Sequence, residues 1–172
     1  MSKTLVLIPA LNEEAGIVCI IKDIQRILPE VDILVVDDGS VDNTARIAAA
    51  SGAVVVSHPF NMGYGVAIQT GYKYACLKNY DYLVQLDGDG QHDPMFISCL
   101  LESLMRREAD VILGSRFLHK ESYTPPLLRR MGMMFFRKLL SGIIGTSITD
   151  STSGYQAFHK EVIHFFATDM FP

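Results

Sequence analysis

A doubly wound α/β fold with a mostly parallel central sheet is predicted by three features of this 172-residue sequence. Short β-branched runs alternate with longer segments of helical spacing, the pattern of repeated β-α units. The run Ile33-Leu34-Val35-Val36 is continuously apolar, as expected of a strand covered on both faces. Polar clusters follow nearly every strand candidate, and in such sheets ligands bind beyond the carboxyl ends of the strands.

The elements follow in order. Leu5–Ile8 is the first strand, and Glu13–Leu28 has helical spacing with Asn12 placed to cap it. Ile33–Asp37 is the second strand, followed by a helix over Asn43–Ser51 that a preceding Asp or Ser can cap. Ala53–Ser57 and the helix Gly65–Lys78 come next, then the strand Tyr82–Leu86. Asp93-Pro94 reads as an N-cap with proline at the first helical position, opening a helix over Pro94–Arg107. Asp110–Gly114 is the fifth strand, and a further short strand candidate follows Asp150–Gln156. Length fits a single domain with a substantial core, divided into a half over residues 1–115 and a half over 116–172.

Composition narrows the classes. Hydrophobic residues make up 49% and charged residues 20%, as in ordinary globular proteins. A net charge of -4 argues against a general nucleic-acid binder. Cys19, Cys76 and Cys99 show no CxxC spacing and are expected to be buried, reduced thiols. No signal-peptide pattern and no long uncharged apolar run is visible, which suggests a cytoplasmic protein. Residues Arg116 to Lys138 hold six Lys/Arg and one acid, a local +5 that leaves -9 on the rest. The final Phe171-Pro172 follows a helix-like stretch with no closing element, as in a chain truncated at its C-terminus.

The strongest chemical feature is Asp87-Gly88-Asp89-Gly90-Gln91 at the end of an apolar strand. Two carboxylates one residue apart converge on one cation when glycine lets the backbone turn, and such oxygens suit a hard ion, Mg²⁺ or Mn²⁺. Taken alone the segment is a common Asp-Gly turn; five polar clusters on one rim make it a metal site. Asp37-Asp38-Gly39-Ser40 offers carboxylates to a base N–H or ribose hydroxyls, or else a turn and helix cap. Arg116, Arg129 and Arg130 can form an anion site, because guanidinium forks match phosphate geometry. The apolar stretch beside them suits an amphiphile's phosphate, peripheral contact with an anionic membrane surface, or burial against further chain.

Other functions are weaker. Gly63-Tyr64-Gly65-Val66-Ala67-Ile68 imitates a dinucleotide fingerprint but lacks the third small residue and follows the third strand, not the first. A sugar nucleotidyltransferase should carry a glycine-rich basic loop after its first strand; Pro9-Ala10-Leu11-Asn12-Glu13-Glu14 is acidic and glycine-free. A catalytically degenerate sugar-nucleotide-binding domain is the non-enzymatic alternative.

Together, Pro9 through Glu14, Val36 through Ser40, Asn61-Met62-Gly63, Asp87 through Gln91, Gly114-Ser115-Arg116 and Asp150 through Tyr155 resemble glycosyltransferase family 2, particularly its polyprenol-phosphate sugar transferases. The resemblance covers almost the whole chain. It implies a three-layer, Rossmann-like GT-A fold and transfer from a UDP- or GDP-linked sugar to an acceptor such as a polyprenyl phosphate. Pro9, Ala10, Asn12, Glu13, Asp37, Asp38 and Gly63 would hold the nucleotide, with Asp87 beside them. Asp87, Asp89 and Gln91 would organise Mg²⁺ or Mn²⁺ on the diphosphate. Arg116, Arg129, Arg130 and Ser153 would grip an acceptor phosphate, and Asp89, Arg116 and Asp150 are the catalytic candidates. The implied reaction is an inverting displacement at the inner face of a membrane, and the family usually continues beyond this length with further helices.

Overall fold

The computed structural model describes residues 2–88, 93–114 and 154–169. In chain order the elements are β1 (Thr4–Ala10), α1 (Ile17–Ile27), β2 (Asp32–Asp37), α2 (Thr44–Ala50), β3 (Val54–Ser57), α3 (Tyr64–Leu77) and β4 (Tyr82–Gln85). A 3₁₀ turn (Pro94–Phe96) then leads into α4 (Ile97–Met105), β5 (Val111–Leu113), β6 (Gln156–His159) and α5 (Lys160–Thr168).

The strands form one six-stranded sheet in the order β3-β2-β1-β4-β6-β5. β1 pairs in parallel with β2 and β4, and β2 with β3. β6 runs antiparallel between β4 and β5, so the sheet is mixed but mostly parallel, as expected.

Alternation along the strands builds both cores, because successive side chains point to opposite faces. Val6, Ile8, Ile33, Val35 and Val84 pack with α1 and α4 through Ile17, Ile21, Ile24, Leu101 and Leu104. Leu5, Leu7, Leu34, Val36 and Leu83 pack on the other face with α3 and α5 through Ala67, Tyr72, Ala75 and Ile163. All seven residues of β1 are buried, the signature of a central strand with a layer of helices on each side. Each fully buried Leu, Ile or Val contributes about 1.5–3 kcal/mol. The strand order reverses direction at β1, which opens a crevice at the carboxyl ends of β1 and β4.

Two expectations need correction. The first helix begins at Ile17, with Gly16 at its cap position and no side-chain cap bond. Asn12 does not cap it; the Glu13 carbonyl takes the first helical N–H groups, from Gly16 and Ile17. The thiols are all free, but Cys19 and Cys99 are exposed and Cys76 is half-buried. The first helix buries Ile17, Ile20, Ile21 and Ile24, which turns Cys19 away from the sheet. The cap at Asp93 is as expected, its side chain accepting from the Met95 N–H with Pro94 behind it. No helix among the described residues is long and apolar enough to cross a membrane.

Candidate functional site

A cavity of about 480 Å³ opens at the carboxyl ends of β1, β2 and β4. Pro9, Ala10, Leu11 and Glu13 from β1 and its following loop form one wall. Asp38 follows β2, Asn61, Gly63, Tyr64 and Ala67 come from the loop into α3 and its first turn, and Asp87-Gly88 follows β4. The volume is that of an ordinary small-molecule site.

The loops at this rim are tied to one another. Asn12 donates its N–H to Ser40 Oγ (2.9 Å) and accepts the Val41 N–H at its Oδ1 (2.9 Å). Glu13 N–H donates to Thr44 Oγ1 at 2.8 Å, and Glu14 accepts the Asn43 N–H at 2.9 Å. Asn12 reaches these partners with φ of 56°, a left-handed conformation that asparagine tolerates better than most residues. Asn12 therefore fastens the wall without being part of the cavity lining. Asp37 is likewise set back from the lining, its Oδ1 accepting the Ser40 N–H.

Asp38 is buried, at 4% exposure. Its Oδ1 takes the Met62 N–H (2.9 Å) and His58 Nδ1 (2.7 Å), and its Oδ2 takes the Gly63 N–H (2.8 Å). Burial by itself would raise this carboxyl; the hydrogen bonds from His58, Met62 and Gly63 outweigh it and hold the group below the ordinary aspartate value. Gly39 makes the approach of the two loops feasible. It sits at φ of 75°, and a methyl there would lie 2.6 Å from the Asn61 nitrogen.

Asp87 is half-buried in the cavity wall, and Tyr64 donates its hydroxyl to Asp87 Oδ1 at 2.6 Å. Partial burial of the half-exposed phenol, reinforced by that carboxylate, raises Tyr64 above the usual tyrosine range, so it stays a donor. Gly154, entering β6, lies so close that a methyl built on it would stand 2.7 Å from Asp87 Oδ1 and closer still to Oδ2. The buried Gln85 donates to the Tyr64 hydroxyl and to the Gly154 carbonyl, both at 3.3 Å, and accepts from Tyr72 at 2.8 Å.

Of the candidates named from sequence, the structure brings Pro9, Ala10, Glu13, Asp38, Gly63 and Asp87 together around one cavity. Asp89, Gln91, Arg116, Arg129, Arg130, Asp150 and Ser153 lie outside the described residues. Tyr64, Gln85 and Tyr72 were not anticipated. Two of them carried a signal: Gln85 is a glutamine inside an otherwise apolar strand, and Tyr64 sits between two glycines that drew attention only for themselves; Tyr72 carried none.

Charge decides what the cavity can take. Glu13, Asp38 and Asp87 line it, and no Lys or Arg does so among the described residues. A bare diphosphate brought against carboxylates is repelled, whereas carboxylate oxygens are ligands for a hard divalent cation that bridges the two. The donor chemistry at Asp87 thus fits Mg²⁺ or Mn²⁺, although no cluster of three or more His, Cys, Asp or Glu placed to hold a metal occurs among the described residues.

The mostly parallel sheet with a helix layer on each face and an acidic site at its carboxyl rim is shared with GT-A glycosyltransferases of known structure. Residues 5–166 match the model of Glycosyl transferase family 2, and the chain belongs to that family. It is 34% identical over 168 residues to polyprenol monophosphomannose synthase of Mycolicibacterium smegmatis, covering 94% of this chain and 63% of that protein. It is 32% identical over 171 residues to undecaprenyl-phosphate mannosyltransferase of Micrococcus luteus, covering 94% and 68%. Among solved structures it resembles glucosyl-3-phosphoglycerate synthase from Mycobacterium tuberculosis in complex with Mn²⁺ and UDP-glucose, with TM-score 0.72 and 28% identity over 94% of this chain and 57% of that one. The chain thus spans less than two thirds of the length of the M. smegmatis relative and little more than half of the structural neighbour.

Proposed function

We propose that this chain forms the donor-binding core of an inverting, metal-dependent glycosyltransferase that moves a hexose from a nucleoside-diphosphate sugar to a polyprenyl phosphate. The observation that carries the reading is the cavity whose described lining holds three carboxylates and no basic side chain. A bound divalent ion supplies charge neutralisation on the leaving diphosphate, and Asp87, Asp89 and Gln91 are the residues that would hold it.

Asp38 favours a pyrimidine with one ring N–H, uracil or thymine, over guanine. A carboxylate has roughly four acceptor positions. His58, Met62 and Gly63 occupy three on Asp38, leaving one at Oδ2. Uracil presents a single ring N–H, which that position satisfies. Guanine presents two adjacent N–H groups, which ask for both oxygens of one carboxylate. The structural neighbour's complex with UDP-glucose supports the same choice.

The acceptor assignment rests on the two relatives named for polyprenyl-phosphate substrates, and on Arg116, Arg129 and Arg130 in the sequence. A phosphate monoester oxygen attacks the anomeric carbon as the bond from that carbon to the nucleoside diphosphate breaks on the opposite face. The phosphate is already ionised at neutral pH, so this acceptor needs no general base. Asp150 would serve as base only for a hydroxyl acceptor. Contact with an anionic membrane surface, at its cytoplasmic side, would bring the enzyme to such a lipid.

The test is calorimetry with UDP-, GDP- and dTDP-sugars, each with and without Mn²⁺, followed by transfer of labelled sugar to a short-chain polyprenyl phosphate. Mn²⁺-dependent binding of a UDP-sugar, abolished in Asp89→Ala without loss of the folded state, is the expected result. Undiminished Mn²⁺-dependent binding in that variant would refute the metal assignment, and absence of any labelled lipid product would refute the acceptor.

A further inference from the structure

Gln85 sits in the middle of the sheet, paired with Leu7 on one side and Gln156 on the other, and is 2% exposed. An amide there costs free energy unless all its polar atoms are matched. Its orientation is determined by its neighbours. The Gly154 carbonyl can only accept, so the Gln85 NH₂ faces Gly154, and Oε1 is left to accept the Tyr72 hydroxyl. The same NH₂ donates to the Tyr64 oxygen. Tyr64 has one hydroxyl hydrogen, and it goes to Asp87. The bonds therefore run in one sense from Tyr72 through Gln85 and Tyr64 to Asp87. Gln85 is absent from the cavity wall, so it acts on a ligand only through other groups.

We propose that Gln85, acting through Tyr64, is a positioning residue that fixes the Asp87 carboxylate for the cation-diphosphate and ties it to the segment entering β6. This rests on the donor-site reading above. Outer hydrogen bonds of this kind orient a ligating carboxylate, and their loss commonly lowers metal affinity by about 10–100-fold. The link to Gly154 gives the chain a second end.

The experiment measures UDP affinity by calorimetry, in Mn²⁺ and in EDTA, for the wild type, Tyr64→Phe, Gln85→Met and the double variant. The gain in affinity that Mn²⁺ confers should fall about tenfold in each single variant, while the affinity of Gln85→Met in EDTA stays within about twofold, since Gln85 lies outside the cavity wall. The double variant should lose no more than either single, because both break the same chain. Equal losses with and without Mn²⁺, or losses that multiply in the double variant, would overturn the proposal. If Gln85→Met does not fold, Tyr64→Phe decides alone, since its ring is half-exposed and only the hydroxyl is removed. A wild type whose UDP affinity ignores Mn²⁺ overturns the donor-site reading itself, and this inference with it. A wild type that responds, with variants that respond equally, overturns this inference only.

Discussion

Replacing Asp38 by alanine tests whether the loop before α3 is held by one carboxylate. The substitution removes the acceptor for the Met62 and Gly63 N–H groups and for His58, at 2.9, 2.8 and 2.7 Å. Hydrogen bonds to a charged group are worth about 1.5–3 kcal/mol each, but three sharing one carboxylate are not additive, so a combined loss of about 4 kcal/mol is expected. Against a typical total of roughly 5–15 kcal/mol the variant should remain folded but marginal. For a chain of this size each kcal/mol moves Tm by about 2–4 °C, giving a fall of about 8–16 °C by scanning calorimetry without nucleotide. The pH dependence follows in sign. Asp38 is held below its ordinary value, so its stabilisation is fully present above an unfolded-state pKa of about 3.9 and is lost as pH falls through the lower folded value. The part of the stability gap between the wild type and Asp38→Ala that comes from the Asp38 charge should close below about pH 4. A variant melting within about 2 °C of the wild type at pH 7 would refute the reasoning.

Gly154→Ala should disturb Asp87, because the new methyl would overlap the carboxylate. Its UDP affinity in Mn²⁺ should drop at least about tenfold, measured by calorimetry, with little change in EDTA. Arg116→Ala should weaken use of a polyprenyl phosphate far more than binding of the nucleotide sugar, read as KM for the lipid against Kd for the donor; equal losses would make Arg116 structural. Chelation of divalent ions by EDTA should abolish sugar transfer, and added Mn²⁺ should restore it.

The fold was legible because apolar periodicity and turn residues agreed along the first 114 positions. Ile33 through Val36 announced a strand buried on both faces, and Asp93-Pro94 announced a helix start, and both are as read. The first helix was placed too early because helical spacing begins at Glu13, while the Glu13 and Glu14 N–H groups donate to Thr44 Oγ1 and Asp42 Oδ2 and hold that backbone in a turn. The antiparallel sense of β6 was not legible, since its pairing with β4 and β5 depends on chain far away in sequence. Within the site, Glu13, Asp38 and Asp87 stood out because acids after strands are conspicuous. The side chains that hold them did not. Gln85 was marked only as a polar residue in an apolar strand and Tyr72 not at all, because their pairing exists only where strand β4 and helix α3 meet.

Crystals grown with UDP and Mn²⁺, with anomalous scattering recorded for manganese, address the central claim most directly. The account predicts a manganese peak at coordination distance from Asp87, bridging to the diphosphate, with the uracil against Asp38. A nucleotide bound elsewhere, or a diphosphate in this cavity with no metal beside Asp87, would contradict it.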